Sequence, residues 1–441
     1  MKDPLEAIVQ EKILVALESP LPALTPRDVR VPSIPGKAMV VIGMRRSGKT
    51  RFLHQVRAAR MASGRSPERL VYFNFEDERL AGMEAARLGL IPETHLRLFP
   101  EPSDEPVTLF LDEIQTVPGW EVFARRLLDE GGYELFLSGS SAKLLSREIA
   151  TSMRGRGWEI VIHPFSFREW LRHGGHEIPD VPSRLTARRA ALLDHRFAEY
   201  LVTGGFPEAQ GLLPPERRQL LQGYVDVLLL RDVIERHGVV NVTALRWMVR
   251  RLLGNPASLF SITKFEADLK SQGIPAGRET LYEILDHLED AFLLHAIPVA
   301  TDSEKRKQVN PRKVYPVDHG LTPVFDRSPK ANTGHSLEVS VHNELLRRGA
   351  EMAYVKTRSG TEVDFLCRGR DGTETLIQVC ADPGDAGTLA REVRALEEAA
   401  TEHPGARLLL LTAASRLNLP LLPDPIELIP AWQWMLEAES A

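Results

Sequence analysis

Gly43-Met44-Arg45-Arg46-Ser47-Gly48-Lys49-Thr50 is the stretch from which the rest of the sequence can be read. Before it runs Ala38-Met39-Val40-Val41-Ile42, short, apolar and β-branched in the manner of a buried strand. After it, Arg51-Phe52-Leu53-His54-Gln55-Val56-Arg57 reads as a helix. The pattern G-x-x-x-x-G-K-[ST] between a strand and a helix is the P-loop. The backbone there must curl so that successive N–H groups point at one phosphate, and glycines permit the close approach. The helix N-terminus adds positive potential. Gly43, Arg45, Arg46, Ser47, Gly48, Lys49, Thr50 and Arg51 are therefore the expected nucleotide-binding residues. Lys49 should reach the β- and γ-phosphates of ATP or GTP, and Thr50 should hold Mg²⁺.

Around the P-loop, strand-like and helix-like segments alternate from about residue 37 to 165. The strand candidates are Ala38–Ile42, Leu70–Phe75, Val107–Leu111, Glu134–Leu137 and Trp158–Ile162. Such alternation implies an α/β fold, a parallel sheet covered by helices. Ligands then collect at the carboxyl ends of the strands. The third strand ends Leu109-Phe110-Leu111-Asp112-Glu113, the Walker B pattern. Asp112 is expected to hold Mg²⁺, and Glu113 to orient or deprotonate the attacking water. That acidic pair points to hydrolysis rather than kinase chemistry.

Three further strand-end residues are candidates, each with a plain structural alternative. Asn74, ending the second strand, would touch Glu113 and restrain it, or else cap the next helix. Ser138, with Ser140 behind it, would meet the γ-phosphate or the attacking water, or else serve as a helix cap. Arg156, preferred over Arg154, stands just before the fifth strand. An arginine there can complete a neighbouring subunit's site by neutralising charge on the γ-phosphate, or it is one of a surface pair.

The chain has 441 residues, which calls for several domains rather than one core. Its net charge of −5 excludes a global basic excess, so any DNA surface must be local. Two cysteines, Cys367 and Cys380, cannot alone build a disulfide framework or a zinc cluster. The start, Met1-Lys2-Asp3-Pro4, does not read as a signal peptide, and no apolar run reaches the length of a membrane span. The expectation is a reduced, cytoplasmic protein with no membrane partner.

GMRRSGKT, LFLDEIQ and LSGSS, together with GRGWEIVIHPFSFREW and GGFPEA, resemble an AAA-type ATPase over about residues 37 to 235. The wider arrangement is similar to bacterial and archaeal ATPases of the AAA+ superfamily whose core precedes a domain of unknown function. The resemblance implies a P-loop core with a helical lid, then a winged-helix domain and a restriction-endonuclease-like α/β domain. The corresponding divisions are an N-terminal arm over 1–36, the core over 37–169, the lid over 170–237, the winged helix over 238–330 and the nuclease-like domain over 331–441.

The residues of the second half fit that order. Val242–Gly254, a helix opening at Ser261-Ile262-Thr263, and Arg278–Phe292 read as three helices, followed by extended Leu293–Val299, a polar hairpin and Val314–Val317. This is winged-helix order. Lys305, Arg306, Lys307, Arg312 and Lys313 on the hairpin would sit on DNA phosphates. The third helix is acidic, with Glu279, Glu283, Asp286, Glu289 and Asp290, which would repel a DNA backbone and tells against a base-reading role. Non-specific DNA contact by the hairpin and a purely structural or protein-binding winged helix both stand.

In the nuclease-like part, a helix glutamate, a hairpin Asp and a strand reading E-x-K would form a metal site. Glu338 and Asp364 match, whereas Gln378 and Cys380 stand where Glu and Lys belong. Loss of a ligand charge and of the lysine predicts an inactive nuclease fold kept for DNA or subunit contact. Cys380 as a reactive thiol is the lesser alternative to a strand cysteine. The combined expectation is a Mg²⁺-dependent ATPase, acting as a homo-oligomer and coupled to DNA binding or remodelling. The alternative is a nucleotide-controlled switch or scaffold for a protein partner.

Overall fold

Five parallel strands form where the alternation places them: β1 Ala38–Ile42, β2 Leu70–Asn74, β3 Val107–Asp112, β4 Tyr133–Ser138 and β5 Gly157–Val161. Their order in the sheet is β2-β3-β4-β1-β5. Every residue of β1 and β3 is buried, which is why both read as unbroken apolar runs. Inserting β4 between β1 and β3 puts Ser138 between the P-loop and Asp112-Glu113. The computed structural model describes residues 3–101, 104–139, 153–325, 333–369, 372–413 and 422–437. Ser140 lies outside them. The chain divides into two compact units, residues 1–163 with 290–292, and residues 164–289 with 293–441.

In the first unit the N-terminal arm is an integral part of the nucleotide-site scaffold. Its helix, Pro4–Glu18, starts at an Asp3 cap and buries Val9 and Ile13 in the sheet's core. Lys12 pairs with Asp77 at 2.7 Å, just beyond β2. The proline-rich connector then carries Arg27 to the P-loop. Arg27 donates to the Ser47 carbonyl at 2.9 Å and to the His163 carbonyl, and its own backbone N–H donates to Gln55 Oε1 at 2.8 Å.

The second unit opens with helices Phe167–His173, Ala187–Thr203 and Pro214–Leu228, the last continuing through a wider turn over Leu229–Ile234. The Gly204-Gly205 turn between them is a structural node. Gly205 N–H donates to Asp318 at 2.6 Å, and Phe165 N–H donates to the Gly205 carbonyl at 2.7 Å. A Cβ on Gly205 would lie 2.3 Å from the Phe165 carbonyl oxygen, so the turn has no room for a side chain. The GGFP and HPFSF stretches are thus bound to each other.

Helices Val242–Gly254, Ile262–Ser271 and Arg278–Asp290 follow as expected. Strands β6 Ser258–Phe260, β7 Leu294–Ile297 and β8 Arg312–Pro316 make an antiparallel sheet in the order β6-β8-β7. The β7–β8 connection carries a short helix, Glu304–Val309, where a bare hairpin was expected. The C-terminal part is a helix, Thr333–Arg347, against a mixed sheet of β9 Glu351–Lys356, β10 Glu362–Arg368, β11 Glu374–Cys380, β12 Arg407–Thr412 and β13 Ile426–Pro430. The order is β13-β12-β11-β10-β9, with β11 parallel to β12 and β12 parallel to β13, and the β9–β10–β11 pairs antiparallel. Among the described residues, no helix is long and apolar enough to cross a membrane.

Candidate functional site

The P-loop curls as its glycines allow. Gly43 and Gly48 have φ of 143° and 106°, and a Cβ on Gly43 would lie 2.3 Å from the Ile162 carbonyl oxygen. Lys49 is buried and reaches back across the loop, donating to the carbonyls of Gly43 at 3.0 Å and Met44 at 3.1 Å. The buried Ser47 hydroxyl has no hydrogen-bond partner among the described residues. A loop whose lysine is held by its own carbonyls and whose hydroxyl is unsatisfied suits a phosphate chain. Arg46, exposed, sits at φ 67°, with Arg45 before it in the loop and Arg51 just past the loop's end.

Asp112 is the centre of the acidic half. Thr50 donates to Asp112 Oδ2 at 2.8 Å and Tyr72 donates to the same oxygen at 2.7 Å. Ser138 donates to Asp112 Oδ1, and its own oxygen accepts the Glu113 N–H at 3.1 Å. A hydroxyl and a fully buried carboxylate this close are oxygen donors of the kind a hard divalent cation could take. Ser138 stands where expected, between the loop and the acidic pair. Tyr72 was missed. Its only signal in the sequence is that it points to the same face of β2 as Asn74.

Glu113 follows in the left-handed region at φ 58°. Burial raises its carboxyl pKa, while nearby Lys49 works against that rise. Its carboxylate accepts from Gln115, a residue the sequence reading did not single out. Asn74 is not the partner: its Oδ1 accepts the Glu76 N–H at 2.6 Å, and its amide faces Tyr72 at 3.5 Å. The Glu113 carboxylate thus meets Gln115 and not the expected Asn74, because the chain turns sharply after β2 and Asn74 is taken up in that turn by the Glu76 N–H.

Arg156 is partly exposed and ion-paired with Asp129. Its carbonyl accepts the Ala38 N–H at 2.8 Å, at the start of the five-residue β1. The P-loop leaves the other end of that strand, roughly 16 Å away at about 3.3 Å per residue. An arginine side chain cannot span that distance to its own chain's loop.

The second unit holds a different charged centre. Lys313, on β8, is buried at 3% exposure. Its ammonium lies 2.8 Å from Asp364, 2.9 Å from Glu338 and 2.9 Å from Glu362. Tyr315 donates to Glu338 at 2.9 Å, and Asp364 accepts the Val379 N–H at 3.0 Å. Burial alone would lower the lysine pKa, but Asp364 and then Glu338 hold it well above its ordinary value. Burial and the Asp364 charge push Glu338 up to about 8. Two corrections follow. Lys313 cannot sit on DNA phosphates, since it is sealed among carboxylates. The expected loss of the lysine is also reversed, since β8 supplies one from another sheet.

Gln378 accepts the Asp364 N–H at 3.1 Å and donates to Glu392 at 2.6 Å, so it serves as a strand-to-helix tie. Cys380 is buried, and burial pushes its thiol up to about 11, far from a reactive thiolate. Of the other basic hairpin residues, Lys305 and Arg306 are exposed. Lys307 pairs with Glu304 at 2.7 Å, and Arg312 approaches Glu289 at 3.8 Å.

Residues 35–171 match the AAA domain, and residues 194–329 match a domain of unknown function. An uncharacterised protein of Methanocaldococcus jannaschii is 34% identical over 422 residues, which is 93% of this chain and 90% of that protein. An uncharacterised protein of Haemophilus influenzae is 32% identical over 334 residues, 75% of this chain and 80% of that one. Among solved structures, the Walker-type ATPase of Pyrococcus abyssi has a TM-score of 0.40 and 12% identity, covering 72% of this chain and 94% of that one.

Proposed function

The chain belongs to the AAA-type ATPases that carry a domain of unknown function behind the core, and we propose that it hydrolyses ATP with Mg²⁺ and couples hydrolysis to DNA. The observation that carries the hydrolytic reading is the convergence of Thr50, Tyr72 and Ser138 on Asp112, with Glu113 next in the chain. Lys49 and the loop N–H groups bind and orient the phosphates of the substrate. Glu113, with its raised pKa, accepts the proton of the attacking water. Thr50 and Asp112 would hold Mg²⁺, which neutralises charge developing on the phosphates. Arg156 serves a neighbouring copy, which makes the working unit a homo-oligomer. Lys305 and Arg306 support a DNA contact by their exposure.

One observation favours a second reading, a slow nucleotide-controlled switch acting on a protein partner. Gln115 holds the Glu113 carboxylate, which suits a site kept idle until a partner releases it. ATP turnover measured with single-stranded, duplex and branched DNA separates the two. DNA should raise turnover several-fold, and Lys49→Ala should abolish it. Turnover indifferent to every DNA form would count for the switch.

A further inference from the structure

A groove of about 1230 Å³ in the second unit has a lining that the P-loop chemistry does not use. Its walls are the Pro214–Leu228 and Val242–Gly254 helices. Arg218 lies on the first, and Arg246, Trp247, Arg250 and Arg251 lie on the second. All five are exposed. None of the four guanidinium groups has an ion pair or hydrogen bond among the described residues. Several exposed arginines elsewhere are paired: Arg231 with Glu235, Arg278 with Glu266, Arg407 with Glu427. Asp226 is the single acidic residue among the described residues lining the groove. Arg246 and Arg250 stand one helical turn apart on one face, an arrangement of like charges that costs free energy unless an anion sits between them.

Beside this charge lies a flat aromatic surface. Trp247 is 43% exposed, although its helix buries its other large apolar residues, Leu245, Met248, Val249, Leu252 and Leu253. The helix period thus sends Trp247 outward next to the arginines. Fixed cations along a groove with an aromatic face between them are what single-stranded nucleic acid needs. Phosphates lie on the guanidinium groups, and an unpaired base stacks on the indole. A duplex offers no free base face to that indole. An acidic peptide would satisfy the arginines but leave the tryptophan without purpose.

We propose that this groove binds a single-stranded stretch of nucleic acid, with Arg218, Arg246, Arg250 and Arg251 on its phosphates and Trp247 stacked on a base. The proposal deepens the DNA reading and rests on it. It also moves the main contact away from the Lys305–Lys307 segment.

Fluorescence anisotropy of a labelled single-stranded oligonucleotide with the full chain tests it, run over a salt series. Wild type should bind, with log K falling against log salt by about 0.7 per phosphate contacted, so by roughly 3 for four arginines. Arg246→Glu with Arg250→Glu should weaken binding by about a hundredfold and flatten the salt slope by about half. Trp247→Ala should weaken it by about tenfold and leave the slope unchanged. Basal ATP turnover and melting temperature serve as folding controls, since all three positions are exposed. If the double charge reversal binds like wild type while Lys305→Ala with Arg306→Ala does not, the groove is refuted and the DNA reading stands. Preference for duplex over single strand refutes the groove as well. If wild type binds no nucleic acid in any form, the DNA reading itself falls and takes the groove with it.

Discussion

Replacing Lys313 by methionine keeps most of the buried methylene stem and removes only the charge. The ammonium is within 2.9 Å of three carboxylates, those of Glu338, Glu362 and Asp364. Tyr315 and the Val379 N–H would still serve Glu338 and Asp364, but no cation would remain in the cluster. Removing one partner of a buried ion pair costs about 3–5 kcal/mol, a large share of a typical stability of about 5–15 kcal/mol. The pH dependence follows from the direction of each shift. Glu338 is raised from 4.5 to about 8 in the folded chain, so the stability it contributes is full below about 4.5 and is lost as pH rises through about 8. Lys313 at present opposes that rise, so Glu338 should titrate higher still in the variant. The variant's deficit should be greater above about pH 8, where Glu338 is ionised, than near pH 5, where Glu338 is protonated. Urea unfolding followed by circular dichroism at several pH values measures this, and the double variant Lys313→Met with Asp364→Asn provides the coupling. Asp364→Asn should be destabilising in wild type and close to neutral in the Lys313→Met background. A deficit under about 1 kcal/mol, or one equal at pH 5 and pH 8, would refute the claim that the lysine is the cluster's counter-ion.

Two further outcomes follow from single contacts. Gln115→Ala frees the Glu113 carboxylate, so basal ATP turnover should rise; a fall would mean that Gln115 positions Glu113 rather than restraining it. Gly205→Ala forces a Cβ to 2.3 Å from the Phe165 carbonyl oxygen, and thermal unfolding should show a loss of about 2–4 kcal/mol; an unchanged melting temperature would remove the node from the fold's supports.

The nucleotide site was legible because its demands are local. A buried parallel strand must be apolar throughout, a P-loop must carry its glycines, and Asp112-Glu113 must follow a strand directly. Five strands were accordingly placed within a residue or two of where they form. Partnerships across the fold left no such trace. Arg27 lies in a proline-rich arm that reads as a connector, yet it grips the Ser47 and His163 carbonyls. Gln115 looks like any polar residue of a turn. Lys313 was one of five basic residues on a presumed hairpin, and only the fold shows it facing carboxylates 25 and 51 positions away in the chain.

That last case changes where anion affinity should be sought. A count of basic residues favours the segment 305–313, with Lys305, Arg306, Lys307, Arg312 and Lys313. Affinity for phosphate, however, depends on charge that is not already neutralised. Lys313 is consumed by three carboxylates, Lys307 by Glu304, and Arg312 is drawn towards Glu289. The sequence density of charge there is largely internal. Arg218, Arg246, Arg250 and Arg251 are fewer and scattered over two helices, so no window along the sequence marks them. They gather only when the Pro214–Leu228 and Val242–Gly254 helices form the two sides of one groove, and among the described residues no anion pairs with them there. The same rule decides both places: a cation contributes to recognition to the extent that its own fold has left it without an anion.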